Sequence, residues 1–122
     1  MSLCVAVIGA SPNPERYSNQ AVRLLREHGH AVIPVNPGHA DIEGLPAVGR
    51  VQELPAGSVD TVTMYVAPVV SDGMAGALLD LAPRRVIFNP GAENPDVSGA
   101  LRAAGIEVLD ACTLVLLRTG QF

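Results

Sequence analysis

The chain has 122 residues, 48% of them hydrophobic and 16% charged. This suits a single domain spanning residues 1–122 with a continuous core, and it is too apolar for a disordered chain. The net charge of −4 and the lack of tryptophan argue against a nucleic-acid or anionic-membrane partner, which would want a basic field or a stacking platform.

Leu3–Ile8 is a continuous apolar run, as a strand buried on both faces requires. It stops at Gly9, passes through a loop containing Pro12 and Pro14, and enters a helical pattern carried by Ala21, Val22, Leu25 and His28. Gly29 supplies a left-handed stop. Ala31–Val35 is a second strand, ended sharply by Asn36–Pro37–Gly38. Residues 38–58 are broken by glycine and proline, with a short helix expected around Gly49–Leu54. Val59–Val66 reads as a third strand. Val69–Leu81 reads as a helix weakened by Gly73 and Gly76. Arg85–Phe88 is a fourth strand. Asn94–Pro95 starts a helix with a capping side chain and a first-turn proline. Ile106–Leu109 is a fifth strand, and Cys112–Leu117 a last short helix.

Strands alternating with helices predict an α/β fold: a doubly wound, five-stranded parallel sheet in the order 3-2-1-4-5. Ligands of such sheets bind beyond the carboxyl ends of the strands, where the winding reverses. That order places the reversal between the first and fourth strands.

The candidate binding residues follow. Gly9 lets a ligand approach the backbone. Ser11 and Asn13 offer polar side chains, and the helix opening near Ser18 offers N–H groups to a phosphate. The loop is not the dinucleotide fingerprint, because Ser11 and Pro14 stand where the second and third glycines would be. Asn36 supplies no carboxylate for a ribose, unlike an NAD site. Arg16 and His39 are the nearby cations, with Arg50 further out.

Catalytic signals are poor: no nucleophile–base–acid set, no paired carboxylates and no metal-ligand spacing. Cys4 and Cys112 are far apart and read as free thiols. No apolar run of about 18 residues and no leader pattern is present, so the expected location is the cytoplasm, with no membrane partner.

The segments VAVIGASPNPER, HAVIPVNP, VDTVTMYVAP, RVIFNPGAEN and GIEVLDACTLVLLRTGQF together resemble the small stand-alone CoA-binding proteins. Those are Rossmann-like domains related to the CoA-binding domain of the succinyl-CoA synthetase alpha subunit. The resemblance implies that Ala10, Ser11, Pro12 and Asn13 lie along the phosphates and adenosine of CoA. It places His39 where the synthetase carries a lysine after its second strand, and Phe88, Asn89 and Pro90 on a CoA-contacting segment that Gly91 continues. Arg16 and Ser18 match a common R-x-S, and Asn36–Pro37 falls in the NP of the second motif. The synthetase's phosphohistidine machinery lies outside this domain, so its ligase activity is not implied. The resulting expectation is non-catalytic binding of CoA or an acyl-CoA. An enzyme using NAD(P) or another adenine nucleotide, and a regulatory module with a vestigial pocket, are the alternatives. Neither the acyl group nor any protein partner can be read from the chain.

Overall fold

Alternation within the strands builds two cores on one sheet. The computed structural model describes residues 2–122. In β1 (Cys4–Ile8), Ala6 and Ile8 face one layer while Val5 and Val7 face the other. The second layer is closed by α1 (Tyr17–Glu27), through Val22 and Leu25, and by α5 (Thr113–Arg118), through Leu117. The first is closed by α3 (Ala75–Leu81), through Leu78 and Leu81, and by α4 (Pro95–Ala103), through Val97 and Leu101. Helices therefore cover both faces, as a fully buried parallel sheet requires.

The sheet joins β1 to β2 (Ala31–Val35), β5 (Thr61–Met64), β6 (Arg85–Phe88) and β7 (Glu107–Asp110), all parallel, in the order β2-β1-β5-β6-β7. The α/β class, the parallel doubly wound sheet and the five strands are as expected. The strand order is corrected in one respect. Numbered by sequence, the main strands run 2-1-3-4-5 where 3-2-1-4-5 was expected, because the third strand pairs directly with the first, from Val5 opposite Thr61 to Ile8 opposite Met64. Burial is the physical reason: all four residues of β5 are buried, which calls for an interior strand. β2 holds the edge instead, and carries Pro34, a residue that suits an edge because it has no N–H to donate.

That edge is covered by residues 47–49. Val48 bridges Val35 in parallel, its N–H donates to the Pro34 carbonyl at 3.0 Å, and the Asn36 N–H donates to its carbonyl at 2.9 Å. Before it lies a two-residue hairpin, β3 (Asp41–Ile42) with β4 (Leu45–Pro46), in the segment expected to be loop. After it comes a 3-10 turn, Val51–Glu53.

The helix expected over Val69–Leu81 is two pieces, α2 (Pro68–Ser71) and α3, interrupted around Gly73. Asn94 caps α4 as expected, accepting from the Val97 N–H at 3.2 Å. Cys4 and Cys112 are free. Cys4 opens β1 and Cys112 lies beyond the carboxyl end of β7, with β5 and β6 between those strands. No helix among the described residues is long and apolar enough to cross a membrane.

Candidate ligand-binding site

The observed order moves the winding reversal to the gap between β1 and β5, since β2 lies on one side of β1 and β5, β6 and β7 on the other. Three cavities adjoin there. One of about 310 Å³ is bordered by Gly9, Asn36, Arg50, Val66, Val70 and Met74 among others. A second of about 380 Å³ is bordered by Gly9, Ser11, Arg16, Tyr17, Ser18, Tyr65 and Pro90. A third of about 200 Å³ is bordered by Tyr65, Val66, Ala67, Asn89, Pro90, Gly91 and Ala92. Gly9 is shared by the first two, Val66 by the first and third, and Tyr65 and Pro90 by the second and third. They form one trough along the carboxyl edge, apolar at the β2 end and polar at the α1 end.

Gly9 is the pivot of this trough. Its φ is +85°, and a Cβ there would sit 2.8 Å from Val66 Cγ1 and 3.0 Å from the Tyr65 carbonyl oxygen. Its N–H donates to the Val35 carbonyl at 3.0 Å, while the Tyr65 N–H donates to Ile8 at 2.9 Å. Three strand ends are thus drawn together at a residue with no side chain.

The loop that follows is rigid by its own hydrogen bonds. Ser11 N–H donates to Ser18 Oγ at 3.1 Å, Asn13 N–H to Ser11 Oγ at 3.1 Å, and Glu15 N–H to Asn13 Oδ1 at 3.0 Å. Asn19 Nδ2 donates to the Ser11 carbonyl at 2.9 Å. Polar side chains in this loop accordingly hold its shape. α1 begins after Arg16 with no side-chain cap and no acidic residue in its first turn. Its opening amides and the Arg16 guanidinium make that end of the trough electropositive.

Two asparagines tie the neighbouring loops down. Asn36 Nδ2 donates to the Ala10 carbonyl at 2.7 Å, and its Oδ1 accepts from the Gly38 N–H at 2.7 Å. Asn89 is 2% exposed. Its Nδ2 donates to Thr63 Oγ1 at 2.6 Å and to the Met64 carbonyl at 3.0 Å, and its Oδ1 accepts from the Thr113 N–H at 2.8 Å. The Thr63 and Thr113 hydroxyls pair with each other at 2.7 Å.

Beside them the Tyr65 hydroxyl is buried with no hydrogen-bond partner among the described residues. Burial pushes the phenol pKa up to about 12, against a smaller lowering by the hydroxyls of Thr113 and Thr63. It stays protonated at neutral pH, beside the paired hydroxyls of Thr63 and Thr113.

A further cavity of about 500 Å³ lies at the opposite, amino edge of the sheet, bordered by His28, His30, Asp60, Arg84 and Phe122. Its polar groups are largely engaged within the fold. Arg84 grips Asp60 through two contacts of 3.0 and 3.1 Å, which hold the Asp60 carboxyl below the usual carboxylate range. His30 Nδ1 accepts from the Leu3 N–H at 3.1 Å, and its ring lies 5.2 Å from that of Phe122. The Arg85 guanidinium lies over the Phe122 ring, 4.5 Å from its centre. The carboxyl edge, with its chain reversal and glycine pivot, is the candidate site.

Comparison with known proteins gives the family. A family model described as a CoA binding domain matches residues 4–118. The chain belongs to the CoA-binding domain family. A crystal structure of an uncharacterised protein superposes with a TM-score of 0.93 at 36% identity, covering 100% of this chain and 99% of that one. The YneT protein of Bacillus subtilis (strain 168) is 28% identical over 112 residues, 91% of this chain and 82% of its own. At 23% identity the fold alone is shared with the dinucleotide-forming acetyl-coenzyme A synthetase 1 of Ca. Korarchaeum cryptofilum. That TM-score is 0.74, and the match covers 88% of this chain and 25% of that one.

Within this CoA-binding fold the candidate residues separate. Gly9, Ser11, Arg16, Ser18, Asn36, Pro37, Asn89, Pro90 and Gly91 all border the trough. Ala10 and Phe88 are fully buried, the first offering its carbonyl to Asn36 and the second filling the core. Pro12, Asn13 and His39 are exposed and border none of the three cavities. Tyr65, Val66, Val70 and Met74 were missed, because β5 was expected at the edge of the sheet, away from Gly9. Arg50, set aside as distant in sequence, borders the apolar end.

Proposed function

We propose that this protein binds CoA or an acyl-CoA in the cytoplasm, along the carboxyl edge of its sheet, and carries out no chemistry of its own. The observation that carries the reading is the trough pivoting on Gly9, with one arginine in each of its two larger cavities. CoA has the matching character: an adenosine that wants an apolar slot, phosphates that want cations and helix amides, and a long polar arm. The pyrophosphate would lie against the α1 opening and Arg16. The pantetheine arm would pass Tyr65, Pro90 and Gly91. The family supports the ligand class, and the uncharged Asn36 disfavours a free ribose diol of the NAD kind.

Isothermal titration calorimetry tests this. The dissociation constant for CoA should be at least tenfold below that for NAD, a difference of about 1.4 kcal/mol. Equal or tighter binding of NAD overturns the reading.

A further inference from the structure

One charged residue, Arg50, borders the apolar end of the trough, and the fold fixes where its backbone stands. Residues 47–49 are bonded to the end of β2 through Val48, so the chain leaves that strand end at Gly49 and reaches Arg50 one residue later. The Arg50 N–H then donates to Glu53 Oε2 at 2.8 Å. Gly49 makes room for that carboxylate, since a Cβ there would lie 3.0 Å from the same oxygen. Glu53 thus anchors the Arg50 backbone, while the Arg50 guanidinium forms no ion pair among the described residues.

The end of the second strand is where sheets of this kind read the ribose of an adenosine. A carboxylate there takes the free hydroxyls, and an arginine takes a ribose phosphate. Here Asn36 is uncharged, and both ends of its amide are committed to Ala10 and Gly38. His39, the cation expected from the sequence, borders none of the cavities. We propose that Arg50 reads a phosphate on the adenosine ribose, and so selects ligands that carry one. CoA carries this group at the 3′ position and NADP at the 2′ position. The inference rests on the CoA reading for its preferred source but not for the phosphate itself. A guanidinium suits the task, because it stays charged and can grip two phosphate oxygens at once.

The test titrates CoA, 3′-dephospho-CoA, NADP and NAD into the wild type, Arg50→Ala and His39→Ala, with circular dichroism confirming that each variant is folded. The wild type should prefer CoA over 3′-dephospho-CoA by tenfold or more. Arg50→Ala should reduce that preference to about threefold or less, chiefly by weakening CoA. Equal binding of the two by the wild type overturns the assignment while leaving the CoA reading intact. So does a preference that survives in Arg50→Ala, or one that collapses only in His39→Ala. If the wild type binds neither CoA form but prefers NADP over NAD through Arg50, the CoA reading fails and the phosphate assignment stands. Failure to bind CoA and NADP alike overturns both.

Discussion

A Gly9→Ala variant should lose roughly 2–5 kcal/mol of stability and at least tenfold in ligand affinity. Two costs combine. A positive φ disfavours any L side chain by about 1–2 kcal/mol, and forcing bulk into a filled space costs about 1–3 kcal/mol more. The Val66 methyl, 2.8 Å from the added carbon, belongs to a side chain that can turn away. The Tyr65 carbonyl at 3.0 Å cannot, because the Tyr65 N–H is bonded to Ile8 in the adjoining strand. Relief therefore has to come from separating β1 and β5 at the carboxyl edge, which distorts the trough. Urea denaturation measures the first loss, and calorimetry on the folded fraction the second. Wild-type stability in Gly9→Ala would show that the strand ends have slack at this point.

Asn89→Ala should be almost as damaging, at about 3 kcal/mol, a fall in Tm on the order of 10 °C. Asn89 joins three elements: β5 through Thr63 and Met64, β6 through its own place in the chain, and α5 through the Thr113 N–H. Removing the amide leaves the buried Thr113 N–H without its acceptor and takes a donor from Thr63. Each buried polar group left unpaired costs about 1–3 kcal/mol. Differential scanning calorimetry reads the change directly. A loss below about 1 kcal/mol would mean that water replaces the amide and that the hub is not rigid. Affinity should also fall, through displacement of Pro90 and Gly91, so Asn89 acts on the ligand by positioning these neighbours.

Much of the fold is legible in the chain because burial leaves a local signature. The apolar run Val5–Ile8, the Asn94–Pro95 cap and the glycine after α1 each specify their element without help from distant residues. Strand order has no such signature, since it depends on which strands share a neighbour. Two local clues do bear on it. Pro34 marks β2 as an edge, and the unbroken burial of Thr61–Met64 marks β5 as interior; the threonines there obscure the second clue until Thr63 is seen paired with Thr113 and Asn89.

The candidate site shows the same division. Gly9 and Arg16 are readable from the first strand, turn and helix, which form one local unit. Asn36 and Asn89 border the cavities, but their side chains are committed to the loops. Tyr65 and Arg50 depend on long-range pairing: the first on β5 lying beside β1, the second on Val48 lying beside β2. His39 sits near β2 in sequence, yet stands exposed outside the cavities, because the chain turns back through the β3–β4 hairpin before it returns to the sheet edge.

The central claim is that the ligand lies along the carboxyl edge, pivoting on Gly9. Titrating CoA into isotopically labelled protein and following backbone amide chemical shifts tests it most directly. The largest changes should fall on Gly9, Ser11, Arg16, Ser18, Asn36, Arg50, Tyr65 and Gly91, residues from five separate segments that meet only in this trough. Changes confined to the amino edge, around His28, His30, Arg84 and Phe122, would contradict it and move the site to the opposite end of the sheet.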